Sequence, residues 1–162
     1  DSTMGPVNPA VPPVRRTVEC SGGVMQPILD RFTQTYHRLN RQSMGLLKDL
    51  YSDDILFQDP FHRITGLPAL TRYFSELYRD VESISFRFED TLAQADHAML
   101  TWTMLLKHPR LNGGDPVIVP GSTHVRFQEK VFYHRDYFDG GAMLYQQLPF
   151  IGMVIRAIKA RV

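Results

Sequence analysis

The spacing of apolar residues changes once along this chain of 162 residues, and that change limits the folds it can adopt. Up to about residue 81, apolar side chains recur every three or four residues, as on one face of a helix. Beyond it they alternate with polar ones, as in Ile84, Phe86 and Phe88, and this pattern predicts strands. Helices followed by a run of strands are typical of the α+β class, in which helices cover one face of a sheet.

Three helices are expected in the first half of the chain. Pro27 suits the first turn of one helix and Ser43 can cap a second. Pro68 suits the opening of a third. Strands are predicted over residues 55–58, 84–89, 98–107, 117–128 and 131–138.

A run of antiparallel strands with helices on one side predicts a single curved sheet. When such a sheet curves strongly under its helices, it encloses a cone-shaped cavity. The predicted fold is therefore α+β, a cone-shaped, curved, mostly antiparallel sheet with helices packed on its concave face, in the manner of an α+β barrel.

Composition divides the chain into a tail and one domain. Residues 1–26 contain four prolines before Gly22-Gly23 and cannot bury a core, which predicts a flexible N-terminal tail. Residues 27–162 are predicted to form a single domain. A helix that begins near Ala142 should close this domain. We expect it to pack on the domain or across a dimer, not on a membrane surface.

Charge and composition exclude several classes of function. The formal net charge of +1 predicts no basic surface for nucleic acid. We expect no metal and no cofactor, because the chain has neither metal-ligand spacing nor a glycine-rich phosphate loop. Cys20 is the only cysteine, and no apolar leader or run of ~18 apolar residues is present. These features favour a cytoplasmic protein without membrane contact.

The stretch YSDDILFQDPFH, residues 51–62, places an acid where a strand must end. Asp59 is a poor strand residue, and Pro60 has no amide hydrogen and forces Asp59 into an extended conformation. A carboxylate held there beside Phe57 and Phe61 is partly desolvated and can act as a base. The alternative is an ordinary turn, since Asp-Pro is also common turn chemistry.

The strand predicted over residues 98–107 is mostly apolar on both of its faces. One face carries Met99, Thr101, Thr103 and Leu105, and the other carries Leu100, Trp102, Met104 and Leu106. One face can cover the core, whereas the other needs a partner, which a second subunit would supply. We expect a homodimer through an outer sheet face formed by Leu100, Trp102 and Met104.

The order of elements and two motifs resemble the nuclear transport factor 2-like superfamily, which includes ketosteroid isomerase, limonene-epoxide hydrolase and SnoaL-like polyketide cyclases. The first motif is LYSDDILFQDP, since isomerases of this type have an acidic helix end, a strand and then Asp-Pro. The second is HRDYFD, residues 134–139, which is similar to the last strand of the epoxide hydrolases. The resemblance covers roughly residues 27–145 and implies a fold with an internal cavity.

The resemblance also implies roles for single residues. Asp59 falls on the proton-shuttling base of the isomerase, and Asp136 on one of the two catalytic aspartates of the epoxide hydrolase. Threonines stand at the remaining positions. The two oxyanion-hole donors of the isomerase fall on Thr35 and Thr123. The second aspartate and the arginine of the hydrolase fall on Thr103 and Thr101.

The predicted site combines these residues with the last strand. A period of two puts His134 and Asp136 on one face, which the resemblance implies is inward. A histidine and two carboxylates around an apolar cavity can move a proton at neutral pH. We therefore predict Asp59 as the base, with His134 and Asp136 exchanging or positioning a proton. The predicted substrate-binding residues are Thr35, Phe57, Thr101, Thr103, Thr123, Phe132 and Phe138.

The predicted function is that of a SnoaL-like protein that binds a small apolar molecule, as a cofactor-independent isomerase, dehydratase or cyclase. The alternative is a non-catalytic module for ligand binding, dimerisation or partner docking. In that interpretation His134 is a core histidine bonded to Asp136 or to a backbone carbonyl, and Asp136 ties down the first helix. A cavity shared by Asp59, His134 and Asp136 would favour chemistry, and a cavity plugged by aromatic side chains would favour the module.

Overall fold

The structure is a computed structural model that describes residues 25–141 of the chain. The predicted tail up to residue 24 and the predicted closing helix from Ala142 lie outside the described residues. The helices are α1 (Met25–Arg38), a short α2 (Leu47–Leu50) and α3 (Leu67–Arg79). The strands are β1 (Tyr51–Gln58), β2 (Arg63–Thr65), β3 (Ser83–Gln94), β4 (His97–Lys107), β5 (Val117–Phe127) and β6 (Val131–Phe138).

The six strands form one sheet in the order β2-β1-β6-β5-β4-β3. All neighbours are antiparallel except β1 and β6, which run parallel. The predicted α+β class and the curved, mostly antiparallel sheet are confirmed. The sheet remains open, because β2 and β3 form its two edges.

The helices pack on the inner face of the sheet through the apolar stripes that predicted them. The stripe of α1 buries Ile28, Phe32 and Tyr36, which recur at helical spacing. The stripe of α3 buries Leu70 and Phe74 in the same core. Within residues 25–141, no helix combines the length and the apolar character that crossing a bilayer requires.

Strand β1 ends where the Asp-Pro pair predicted, and this end positions Asp59. The strand stops at Gln58, and the backbone N–H of Asp59 donates to the carbonyl of His62 at 3.0 Å, closing a turn into β2. The strand begins at Tyr51, four residues earlier than predicted. An irregular register with β6 between Tyr51 and Leu56 accommodates the polar residues in this first part.

The faces of β4 are the reverse of the prediction. Its buried residues are Leu100, Trp102, Met104 and Leu106, so the row expected to face a second subunit lines the interior instead. Met99 and Leu105 lie on the outer face and are exposed. The prediction of a dimer through Leu100, Trp102 and Met104 is therefore wrong. The inner row packs against the rest of the core, as in the contact of Trp102 with Phe86, whose ring centroids lie 5.4 Å apart.

Candidate functional site

A cavity of about 370 Å³ lies between the helices and the inner face of the sheet. Side chains from α1, α3, β1, β3, β4 and β6 line it. Nine of its twenty described lining residues are aromatic, namely Tyr36, Phe57, Phe61, Tyr73, Phe74, Tyr78, Phe86, Trp102 and Phe138. The cavity is therefore suited to a molecule with a largely apolar surface.

Asp136 presents a carboxylate to this cavity from β6. Its Oδ1 accepts hydrogen bonds from Thr123 Oγ1 at 2.5 Å and from His134 Nε2 at 2.7 Å. An ionised carboxylate only accepts, so Nε2 of His134 carries the proton. Within the described part of the chain, Oδ2 accepts no hydrogen bond, and this oxygen is available to a ligand.

Two buried tyrosines extend the hydrogen bonds behind His134. The hydroxyl of Tyr51 lies 2.8 Å from His134 Nδ1 and 2.7 Å from the hydroxyl of Tyr36. In the neutral form of the imidazole, Tyr51 donates to Nδ1 and accepts from Tyr36. Burial is the main cause that raises the pKa of both tyrosines well above the usual value, so both hydroxyls stay protonated. In this series of hydrogen bonds, from Tyr36 through Tyr51 and His134, each group donates its proton in the direction of Asp136.

A second, shorter chain of hydrogen bonds reaches Asp136 through Thr123. The indole Nε1–H of Trp102 donates to Thr123 Oγ1 at 2.8 Å, which leaves the threonine hydroxyl to donate to Asp136. The indole has room there because β5 carries Gly121 opposite it. A Cβ at Gly121 would lie only 2.4 Å from the Trp102 ring. Two chains of donors thus converge on one oxygen of Asp136 and hold it in place.

Asp59 is another carboxylate in the cavity wall, and within residues 25–141 its side chain contacts three hydrogen-bond donors and one imidazole. Its Oδ1 accepts from the backbone N–H groups of Phe61 at 2.8 Å and His62 at 2.7 Å, as in an Asx turn. Its Oδ2 accepts from the hydroxyl of Tyr73. Burial first, and then this hydrogen bond and the Asp59 charge, raise the pKa of Tyr73 well above its usual value. Asp59 is therefore both a turn residue and a cavity residue.

The structure brings most of the predicted site residues to one place. Asp59, Asp136, Phe57 and Phe138 all line the cavity. Thr123 is buried and holds Asp136. His134 is buried behind Asp136 and does not form part of the cavity wall, and Thr35 is buried outside that wall.

Three of the predicted substrate-binding residues lie elsewhere. Thr101 and Thr103 are on the outer face of β4. Thr103 donates to Glu89, while Thr101 accepts from the backbone N–H of Asp90. Phe132 does not line the cavity, because a shift of register in β6 turns it against Arg126, whose guanidinium lies 5.5 Å from its ring centroid. For Thr101 and Thr103 the alternation of β4 holds and only the choice of inner face was wrong, whereas in β6 the shift of register breaks the period of two assumed for Phe132.

Sequence reasoning missed the tyrosines and the tryptophan that support the two carboxylates. Helical spacing accounts for Tyr36 and Tyr73 as members of apolar helix stripes and for Tyr51 as the end of a helix, and it gives none of them a polar partner. Trp102 was expected on the outer face. The available signal was chemical, because a tyrosine or tryptophan on a core stripe carries a polar group that needs a partner when buried. Among residues 25–141, no three His, Cys, Asp or Glu side chains are placed to hold a metal ion.

Comparison with protein families gives a match over most of this domain. A family model described as a SnoaL-like domain matches residues 32–134, which include Asp59 and His134 and end two residues before Asp136. A comparison with curated proteins found no match.

Several solved structures share the fold at low sequence identity. One, from Jannaschia sp. CCS1 and described as a SnoaL-like polyketide cyclase, is 11% identical over 80% of this chain and 96% of its own, with a TM-score of 0.69. Another, from Shewanella putrefaciens CN-32 and described in the same way, is 17% identical over 77% and 96%, with a TM-score of 0.63. A protein from Catenulispora acidiphila with a ketosteroid isomerase-like fold, in complex with trimethylamine, is 17% identical over 74% and 91%, also with a TM-score of 0.63.

Proposed function

Since this chain belongs to the SnoaL-like domain family, we propose that its cavity binds a small, mostly apolar molecule and catalyses a proton transfer on it, as an isomerase, dehydratase or cyclase does. The observation that carries the proposal is the position of Asp136. One oxygen of this carboxylate is held by two donors, and the other accepts no hydrogen bond from residues 25–141 and faces a ligand in a cavity rich in aromatic side chains.

In the proposed reaction, Asp136 is the catalytic base. Its Oδ2 takes a proton from a carbon next to an electron-withdrawing group. The protonated carboxyl group then returns the proton to the same carbon, or donates it to a different carbon or to an oxygen of the ligand. His134 and Thr123 are positioning residues, because they touch Asp136 and not the ligand. The aromatic wall limits water around the carboxylate, which strengthens the electrostatic interactions of the site.

Asp59 is the other candidate for the base, and its surroundings differ from those of Asp136. Hydrogen bonds occupy both oxygens of Asp59, whereas among the described residues only Oδ1 of Asp136 accepts any. We assign to Asp59 the task of orienting Tyr73 in the wall. The variants described next separate the two assignments.

Deuterium exchange into an apolar ketone tests the proposal without knowledge of the natural substrate. We expect the protein to accelerate exchange at the acidic C–H of 2-tetralone in D₂O, followed by proton NMR. Asp136→Asn should lower the rate by at least about 100-fold, since a general base contributes that much or more. Asp53→Asn, on the exposed part of β1, is the matched control and should exchange like the wild type.

The outcomes separate the competing interpretations. Loss of exchange in Asp59→Asn, together with normal exchange in Asp136→Asn, would make Asp59 the base. Ligand binding without exchange by the wild type would contradict the enzymatic proposal and leave a binding module.

We also propose that the domain forms a homodimer through the outer face of β4 and β5. Leu105 and Ile118 are paired across these strands and are 44% and 69% exposed. Met99 lies on the same face and is also exposed. Exposed apolar side chains grouped on one sheet face favour association with a second copy.

A further inference from the structure

The described wall of the cavity carries only one sign of full charge. Four carboxylates line it, and within residues 25–141 no lysine or arginine does; the acids are Asp59, Glu76, Asp80 and Asp136. His108 is the one side chain of a basic type in this wall. Its Nδ1 accepts the backbone N–H of Arg110 at 3.0 Å, so that nitrogen carries no proton. Arg79, outside the wall, lies 3.5 Å from the exposed Asp80 and offsets its charge, so the negative charge that a ligand meets comes from Asp59, Glu76 and Asp136.

The two inner carboxylates have hydrogen bonds but no lysine or arginine partner in the described residues. The side chain of Asp59 is 6% exposed, and the nearest basic group, His62 Nδ1, is 3.6 Å away on a half-exposed ring. The side chain of Asp136 is 17% exposed, and its only ion-pair partner is His134. Charges in such a water-poor place interact more strongly with a ligand than charges in bulk water do.

Aromatic rings stand directly beside these carboxylates. Phe57, Tyr73 and Phe74 form a cluster in which the ring centroids lie 5.4 to 5.9 Å apart. Tyr73 belongs to this cluster and also donates to Asp59. Faces of aromatic rings attract cations through their quadrupole, and a desolvated site strengthens this attraction. Carboxylates and ring faces therefore favour the same kind of ligand group.

We propose that the ligand of this cavity carries a positively charged nitrogen, either a protonated amine or a quaternary ammonium, on an apolar body. The cavity accordingly rejects carboxylates, phosphates and sulfonates, because they meet like charge and no lysine or arginine among the described lining residues. This inference rests on the proposed function only in that the cavity binds a small molecule. It does not depend on catalysis.

Three probes of closely similar shape and different charge test the inference. They are benzyltrimethylammonium, the neutral neopentylbenzene and the anion phenylmethanesulfonate. Trp102 is the only tryptophan of the chain and lines the cavity, so its fluorescence reports occupancy in the full-length protein. We expect the cation to bind at least about tenfold more tightly than the neutral probe, and the sulfonate not to bind. Equal or tighter binding of either other probe, or binding of none at millimolar concentration, would overturn the inference.

Neutralising the wall provides an independent measurement. Asp136→Asn should weaken binding of the cation by about tenfold and leave the neutral probe nearly unchanged, since only a charge is removed. Asp53→Asn, outside the cavity, should bind all three probes like the wild type. The circular dichroism spectrum verifies that each variant is folded, and the order of the three probes on the wild type stands without any variant.

The outcome is separable from that of the proposed function. A preference for the cation without deuterium exchange into 2-tetralone would support the ligand class and contradict the catalytic proposal. Deuterium exchange without a preference for the cation would support the catalytic proposal and contradict the proposed ligand class.

Discussion

At the scale of single residues, the buried hydroxyl of Tyr51 is the link on which the hydrogen bonds behind Asp136 depend. We predict that Tyr51→Phe lowers the free energy of unfolding by about 1–3 kcal/mol, because the polar groups of Tyr36 and His134 lose a partner while buried. Urea unfolding followed by circular dichroism measures this change.

The matched control removes a hydroxyl from the outer face. Tyr137 is 43% exposed, and its ring contacts Arg135 without using the hydroxyl. Tyr137→Phe should change the free energy of unfolding by no more than about 0.5 kcal/mol. Equal losses of unfolding free energy in Tyr51→Phe and Tyr137→Phe would mean that the buried hydroxyl of Tyr51 makes no special contribution to stability.

The candidate site was partly predictable at this scale. Asp59 was identified because Pro60 dictates the backbone around it, which is a local effect. Asp136 and His134 were identified from a motif on one strand. The tyrosines that complete the site come from α1, β1 and α3, and no local rule connects residues so far apart in the chain.

At the scale of elements, the two faces of β4 have opposite roles that its sequence does not distinguish. We predict that Trp102→Lys lowers the free energy of unfolding by more than about 3 kcal/mol, because the indole is 3% exposed and a lysine there would be buried in the core. Thermal unfolding and size-exclusion chromatography measure the loss of folded protein.

The neighbouring position on the same strand supplies the comparison. Thr101 is half-buried on the outer face, so Thr101→Lys should lower the free energy of unfolding of the monomer, measured at low protein concentration, by less than about 1 kcal/mol. A folded, monomeric Trp102→Lys protein of normal stability would restore the original prediction that this residue faces a second subunit.

The elements themselves were largely predictable, because helical and alternating spacings differ over a dozen residues. The boundaries of the strands and the faces that they bury were less predictable. The shift of register in β6 that turns Phe132 outward depends on the pairing with β5, and the start of β1 depends on the pairing with β6. Pairing partners are not recorded in a strand's own pattern.

At the scale of the whole molecule, the outer face of the sheet decides whether the protein is a dimer. We predict that Ile118→Lys converts the proposed dimer into a monomer, because Ile118 is 69% exposed beside Leu105 on this face and a lysine buried in the interface would lack a partner. Sedimentation velocity measures the mass of the wild type and the variant at equal concentration.

A control on another surface makes this result specific. Leu77 on α3 is 44% exposed and lies away from the outer sheet face, at the cavity. Leu77→Lys should sediment like the wild type. A monomeric wild type, or a dimer that Ile118→Lys leaves intact, would contradict the proposed interface.

By itself, the sequence determined the α+β class, the order of the elements and the end of β1 at Asp59, because spacing and proline geometry act over a few residues. The packing of distant segments against one another places one row of β4 inside and brings the supporting side chains to Asp136. It also gives the described cavity wall acids without lysine or arginine. Those properties arise where distant segments meet, and the charge and shape of a cavity exist only once its walls are assembled.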